Sequence, residues 1–155
     1  MNNLILHLGD LGAIAAMALA ACGSALGTGV AGMAAIGAWK KCFLQNKPAP
    51  FILVGFAGAP LTQTIYGFIV MRTMMATPVS EKNFLYMLAA GLFGGLAIGL
   101  SAWMQGKGAA VACDAYAETN KGVANDFVIL GITETVALFV MVFLIVAFGE
   151  IAKMA

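Results

Sequence analysis

Charge is what this sequence has least of. Only 10% of its 155 residues are Asp, Glu, Lys or Arg, while 62% are hydrophobic, and the mean hydropathy is +0.96. Soluble domains carry roughly a quarter charged residues, so a soluble fold is excluded and the chain belongs in lipid. The charges nearly cancel, to +1, which removes the electrostatic reason for a nucleic-acid partner. Cysteine is scarce as well. Cys22, Cys42 and Cys113 have an odd count and no regular spacing, so they form neither a disulfide framework nor a metal site; they read as small apolar fillers. The single histidine, His7, sits in a polar tail without neighbours to share a ligand.

Two short motifs are discarded on the same grounds. Gly27-Thr28-Gly29-Val30-Ala31-Gly32 matches a dinucleotide-binding pattern, yet it lies inside an apolar run with no strand before it. Leu19-Ala20-Ala21-Cys22 matches a lipoprotein cleavage box. No basic residue precedes it, however, and the apolar run continues past the cysteine, which argues against processing.

What is present is length in apolar runs. Four stretches, at about 11–38, 51–75, 84–112 and 126–149, each exceed the ~20 residues that a helix needs to cross the hydrocarbon core. An all-α membrane protein of four spans follows, with connections of about ten residues that leave no room for an extramembrane domain. The basic residues set its orientation. Lys40, Lys41 and Lys47 fall in the first connection and Lys121 in the third, whereas Arg72 and Lys82 at the second are offset by Glu81. Connections one and three are therefore expected in the cytoplasm, with both termini on the other side.

An internal repeat runs through these spans. Ser24-Ala25 with Thr28-Gly29 aligns with Ser101-Ala102 and Gln105-Gly106, and Thr62-Gln63-Thr64 aligns with Thr133-Glu134-Thr135. The chain reads as two tandem helical hairpins, 1–78 and 79–155, with the acid kept in the second copy and Gln63 opposite it in the first. Spans one and three carry stripes of glycine (Gly23 and Gly27; Gly91, Gly95 and Gly99), which let backbones approach. Spans two and four carry Phe51, Phe68, Phe127, Phe139 and Phe143. Smooth helices inside and bulky ones outside make a wedge, which closes into a ring when repeated about an axis; a free-standing four-helix bundle is the alternative.

An ionisable residue deep in a span is a functional candidate by default. Glu134 lies between Ile129 and Phe139 with no Lys or Arg within a helical turn; a protonated carboxyl that merely bonds a neighbouring helix is the other reading. Gln105 sits about 12 Å from the same membrane boundary on span three, so the two can meet, although a Gln can also serve as interhelical glue. Lys107 lies nearer water and can snorkel to it. In span two, Thr62, Gln63 and Tyr66 share one side of the helix. Pro60 lacks an N–H and loosens carbonyls of the preceding turn, such as that of Ala59; in lipid such carbonyls are tolerated where they line a site, and a merely kinked helix is the bland outcome. One carboxylate with two amide oxygens, a hydroxyl and a carbonyl makes a hard-oxygen shell suited to a monovalent cation. A proton would need Glu134 alone, so the neutral oxygens favour sodium. Tyr66 is better placed to donate a hydrogen bond to Glu134 than to bind metal.

At these residues the chain resembles the proteolipid c or K subunit of V-type ATPases over essentially its whole length. Pro60-x-Thr62-Gln63-x-x-Tyr66-Gly67, Gln105-Gly106-Lys107 and Thr133-Glu134-Thr135 are similar to the sodium-transporting bacterial branch. The resemblance implies a Na+ site at Thr62, Gln63, Gln105, Glu134 and the Ala59 carbonyl, with Tyr66 holding the acid. It also implies a non-catalytic subunit of a bacterial cell membrane complex, without organic cofactor. Identical copies would form a homo-oligomeric ring in lipid, turning against a stator subunit with an essential arginine and bearing a central stalk on its cytoplasmic loops. A proton-carrying rotor, or a pore-forming proteolipid uncoupled from ATP, are the competing functions.

Overall fold

The computed structural model describes residues 3–154. Its helices are α1 (Asn3–Leu44), α2 (Ile52–Gly58), α3 (Thr62–Met75), α4 (Phe84–Thr119) and α5 (Val123–Ile151), with 3-10 turns at Ala59–Leu61 and Ala152–Met154. α2, the first of those turns and α3 form one continuous span, so four helical stretches are long and apolar enough to cross a membrane. The fold is all-α, as the composition requires.

The helices overrun the apolar stretches. α1 has 42 residues, about 63 Å at 1.5 Å per residue, or some twice the ~30 Å hydrocarbon core. Hydropathy marks only the part that must sit in lipid, whereas a helix continues until something breaks it. Nothing between Ala38 and Leu44 does so. The stop is Asn46, at φ 54°, where the Lys47 N–H bonds the Cys42 carbonyl at 2.9 Å and the Asn46 N–H bonds that of Phe43 at 3.1 Å. This is a Schellman cap, followed as usual by proline, here Pro48 and Pro50. The third connection is far shorter than the ten residues expected. Asn120 (φ 55°) ends α4 and Gly122 (φ 97°) precedes α5, and two left-handed residues in three reverse the chain at once. Where α1 and α4 project beyond the core, Lys41 is ion-paired with Glu118 and lies 3.8 Å from Asp114.

α1 packs mainly on α4, along the glycine stripes. A methyl group on Gly23 would overlap the backbone of Gly99, one on Gly91 the backbone of Gly12, and one on Gly106 the backbone of Gly27. Close backbone contact replaces hydrophobic burial as the adhesive, because lipid already solvates apolar side chains. α3 lies on the same seam, its Gly67 facing Ala16 and Ala20. The bulky residues of spans two and four turn outward, with Phe51, Phe68, Phe139 and Phe143 all exposed. α1 is smooth on one face only, since its other side exposes Leu11, Ile14, Leu26, Met33 and Ile36. Of the cysteines, Cys42 and Cys113 are buried fillers, but Cys22 is exposed on α1.

The buried residues form two clusters. One gathers Ala31, Ala35, Phe56, Ala109 and Leu130 toward the first and third connections. The other gathers Ala16, Val70, Met74, Ile98 and Ala137 toward the second. In every helix the polar residues singled out above fall between the two, so a polar layer divides the apolar core.

Candidate ion-binding site

Pro60 sets the layer's geometry. It cannot donate to the helix ladder, and the chain tightens into the 3-10 turn Ala59–Leu61, where the Ala59 N–H reaches back to the carbonyls of Gly55 and Phe56. The Ala59 carbonyl is left facing the Thr62 hydroxyl at 3.2 Å, and the same hydroxyl lies 3.1 Å from Gln63 Oε1. One hydroxyl proton serves one of these acceptors at a time, so three oxygens form a single wall. Glycines at 55 and 58 leave it uncovered. The wall borders a cleft of about 370 Å³ that Gly58, Ala59, Thr62, Gln105, Leu130 and Glu134 help to line.

α4 and α5 supply the opposite wall. Gln105 is fully buried and donates from Nε2 to Glu134 Oε2 at 3.2 Å and to the Leu130 carbonyl at 3.0 Å. Its Oε1 accepts from Gln63 Nε2 at 2.7 Å. Tyr66 Oη donates to the other carboxylate oxygen, Oε1 of Glu134, at 2.8 Å. Each oxygen of the acid thus has one donor from a different helix, which fixes the carboxylate in rotation as well as position. Glu134 is half-buried and, among the described residues, is the only acid lining the cleft.

All six residues expected at the site, Ala59, Thr62, Gln63, Tyr66, Gln105 and Glu134, converge, with Pro60 at the turn. One detail differs from the expectation. Gln105 offers its nitrogen to the acid, and its oxygen is taken by Gln63. A half-turn of the amide would present the oxygen instead, at the expense of the bonds to Leu130 and from Gln63. Two contributors were not foreseen. The Leu130 carbonyl, which orients Gln105, is a backbone group without sequence signature. Ser101 Oγ donates to the Thr133 carbonyl at 2.7 Å and so clamps α5 beside its acid. Its repeat counterpart Ser24, although buried, has no partner among the described residues. Lys107 stays out of the cleft, with Nζ 4.1 Å from the centre of the Trp103 ring.

Residues 88–147, which hold both Gln105 and Glu134, match the family model of the ATP synthase C subunit. Over these residues the chain is similar to that family. It is also 34% identical over 135 residues to the A-type ATP synthase subunit K of Methanocaldococcus jannaschii, an alignment covering 86% of this chain and 58% of that protein. The chain therefore spans less than two thirds of this relative. The family match falls on the second hairpin, the half in which the acid sits.

Removing the tyrosine hydroxyl tests the clamp on the acid. Tyr66→Phe keeps the ring and loses one charge-assisted hydrogen bond, worth about 1.5–3 kcal/mol in a buried setting. The expected result is a cation half-saturation about ten- to a hundredfold higher, with an unchanged helical content by circular dichroism.

Proposed function

We propose that this chain is a rotor-ring subunit of a V- or A-type ATPase that carries Na+ through the membrane. The observation that supports sodium is the run of neutral oxygens, Ala59 O, Thr62 Oγ and Gln63 Oε1, beginning at Ala59 and Thr62, which line the same cleft as Glu134. A proton needs only the acid, whereas a metal ion must replace the waters it sheds. One carboxylate against one monovalent cation leaves the loaded site neutral, which lets it face lipid.

In operation, the two tandem hairpins of each copy pack through their glycine seams, and the exposed apolar faces of neighbouring copies close a homo-oligomeric ring. The ring turns in lipid against a stator subunit whose arginine meets Glu134, displaces the ion into one half-channel and lets another load from the opposite one. The projecting ends of α1 and α4, with the first and third connections, lie on the cytoplasmic side and carry the central stalk, while both termini lie outside the bacterial cell membrane. The chain itself is non-catalytic and uses no organic cofactor; ATP chemistry belongs to a separate soluble head.

Carbodiimide labelling tests the ion. Glu134 should react in the absence of sodium and be protected by millimolar sodium at neutral pH, and labelling indifferent to sodium overturns the assignment. The second reading, a proton carrier, rests on Glu134 being, among the described residues, the only acid of the cleft. It expects Gln63→Ala with Gln105→Ala to leave transport intact. The sodium reading expects that double variant to lose sodium protection by about two to four orders of magnitude, since two neutral polar partners of a desolvated charge are removed at about 1.5–3 kcal/mol each.

A further inference from the structure

The cleft that holds Glu134 has a neighbour. Between α4 and α5, toward the Asn120–Gly122 turn, lies a second groove of about 270 Å³. Gly108, Ala112 and Ala115 form its α4 side, and Asp126, Ile129 and Leu130 its α5 side. Val111 completes the α4 side, and the three smaller residues, which carry at most a methyl group, leave space opposite α5. Leu130 lines both this groove and the Glu134 cleft. Its side chain thus borders both spaces. It is held closely, since a methyl on Gly108 would come within 3.2 Å of Leu130 Cδ2.

Asp126 is, among the described residues, the only charged one on the groove's walls. An acid in the first turn of a helix is commonly explained by the helix dipole and by capping of free amides. Here Oδ2 is buried and has no hydrogen-bond partner among the described residues. A buried carboxylate oxygen without a donor is costly, and a cation or its hydration water would relieve that cost. Positions 126, 130 and 134 follow the i, i+4, i+8 row of one helix face, and eight residues place the two acids about 12 Å apart along α5. The acids thus stand at two levels of one route, with Leu130 between them.

We infer that Asp126 is a second cation site, a relay that takes a partly hydrated monovalent cation in the α4–α5 groove and exchanges it with Glu134 past Leu130. The inference rests on the reading of Glu134 as the carrier. It gives one subunit its own access path on the side of the third connection, built from the small residues of α4 and a single acid.

The test is the exchange of radioactive sodium with the assembled complex in its native membrane, followed as uptake and as release into unlabelled sodium. In Asp126→Asn both rates should fall about tenfold at low ionic strength, the scale of electrostatic focusing into a confined site, with half-saturation changed less than about threefold. Ala115→Leu, which fills the groove and keeps both acids, should slow both rates as well. The sign of the release rate separates a relay from a distant charge. If Asp126 only attracted the ion through space, its loss would speed release, and that result, or unchanged rates, overturns the relay while leaving Glu134 as carrier. If the unsubstituted complex binds no sodium that Glu134→Gln removes, the carrier reading itself fails and the relay with it.

Discussion

Glu134→Gln should abolish ion carrying, with sodium uptake by the reconstituted complex falling by more than about a hundredfold. The physical reason is charge balance. Without the carboxylate, a cation in the cleft is a net positive charge facing lipid, which costs at least about 3 kcal/mol at depth. Geometry adds to this. Tyr66 Oη and Gln105 Nε2 both donate to the acid, and a glutamine amide, with one oxygen in place of two, can accept only one of those bonds and turns its NH2 toward the other partner. Residual uptake near the original rate would show that Glu134 is not the carrier. Because the substitution nearly preserves shape, circular dichroism and the thermal midpoint in detergent should change little, which separates loss of the site from loss of the fold.

Gly23→Leu should prevent the chain from folding, although the residue is far in sequence from the acid. Overpacking usually costs about 1–3 kcal/mol because side chains can shift. At Gly23 the obstacle is the backbone of Gly99, so relief requires separating α1 from α4 along their whole seam. The seam also positions Gln105, which lies on α4 between the contacts of Gly99 with Leu19 and of Gly106 with Gly27. The expected outcome is loss of folded protein in detergent extracts and of a cooperative thermal transition. Gly149→Leu is the control, since nothing lies within 4 Å of its missing methyl, and it should fold normally. Normal folding of Gly23→Leu would show that the glycine stripe does not hold the helices together.

These two positions illustrate how much could be read from residues alone. Glu134 stood out because a carboxylate inside an apolar run of this length is costly and needs a reason, and the glycine stripes at four-residue spacing already pointed to close backbone contact. The break at Pro60 was legible for an equally local reason, the missing N–H. By contrast, the lengths of α1 and α4 were not, because hydropathy reports what must lie in lipid and says nothing about where a helix stops. Their ends depend on the left-handed residues Asn46 and Asn120, and a lone asparagine has many other uses.

The sequence by itself determined that this chain lives in lipid, that it crosses four times, and that Thr62, Gln63, Tyr66, Gln105 and Glu134 are its unusual residues, since each of these follows from the cost of polarity at depth. Only the tertiary structure decided how they share their hydrogen bonds. Which end of each amide faces the acid, and that the Leu130 carbonyl and Ser101 hold Gln105 and α5 in place, depend on separations of about 3 Å between residues up to 68 positions apart. Periodicity fixes which face a residue occupies, but only the packing of α1 on α4 brings those faces together at that distance.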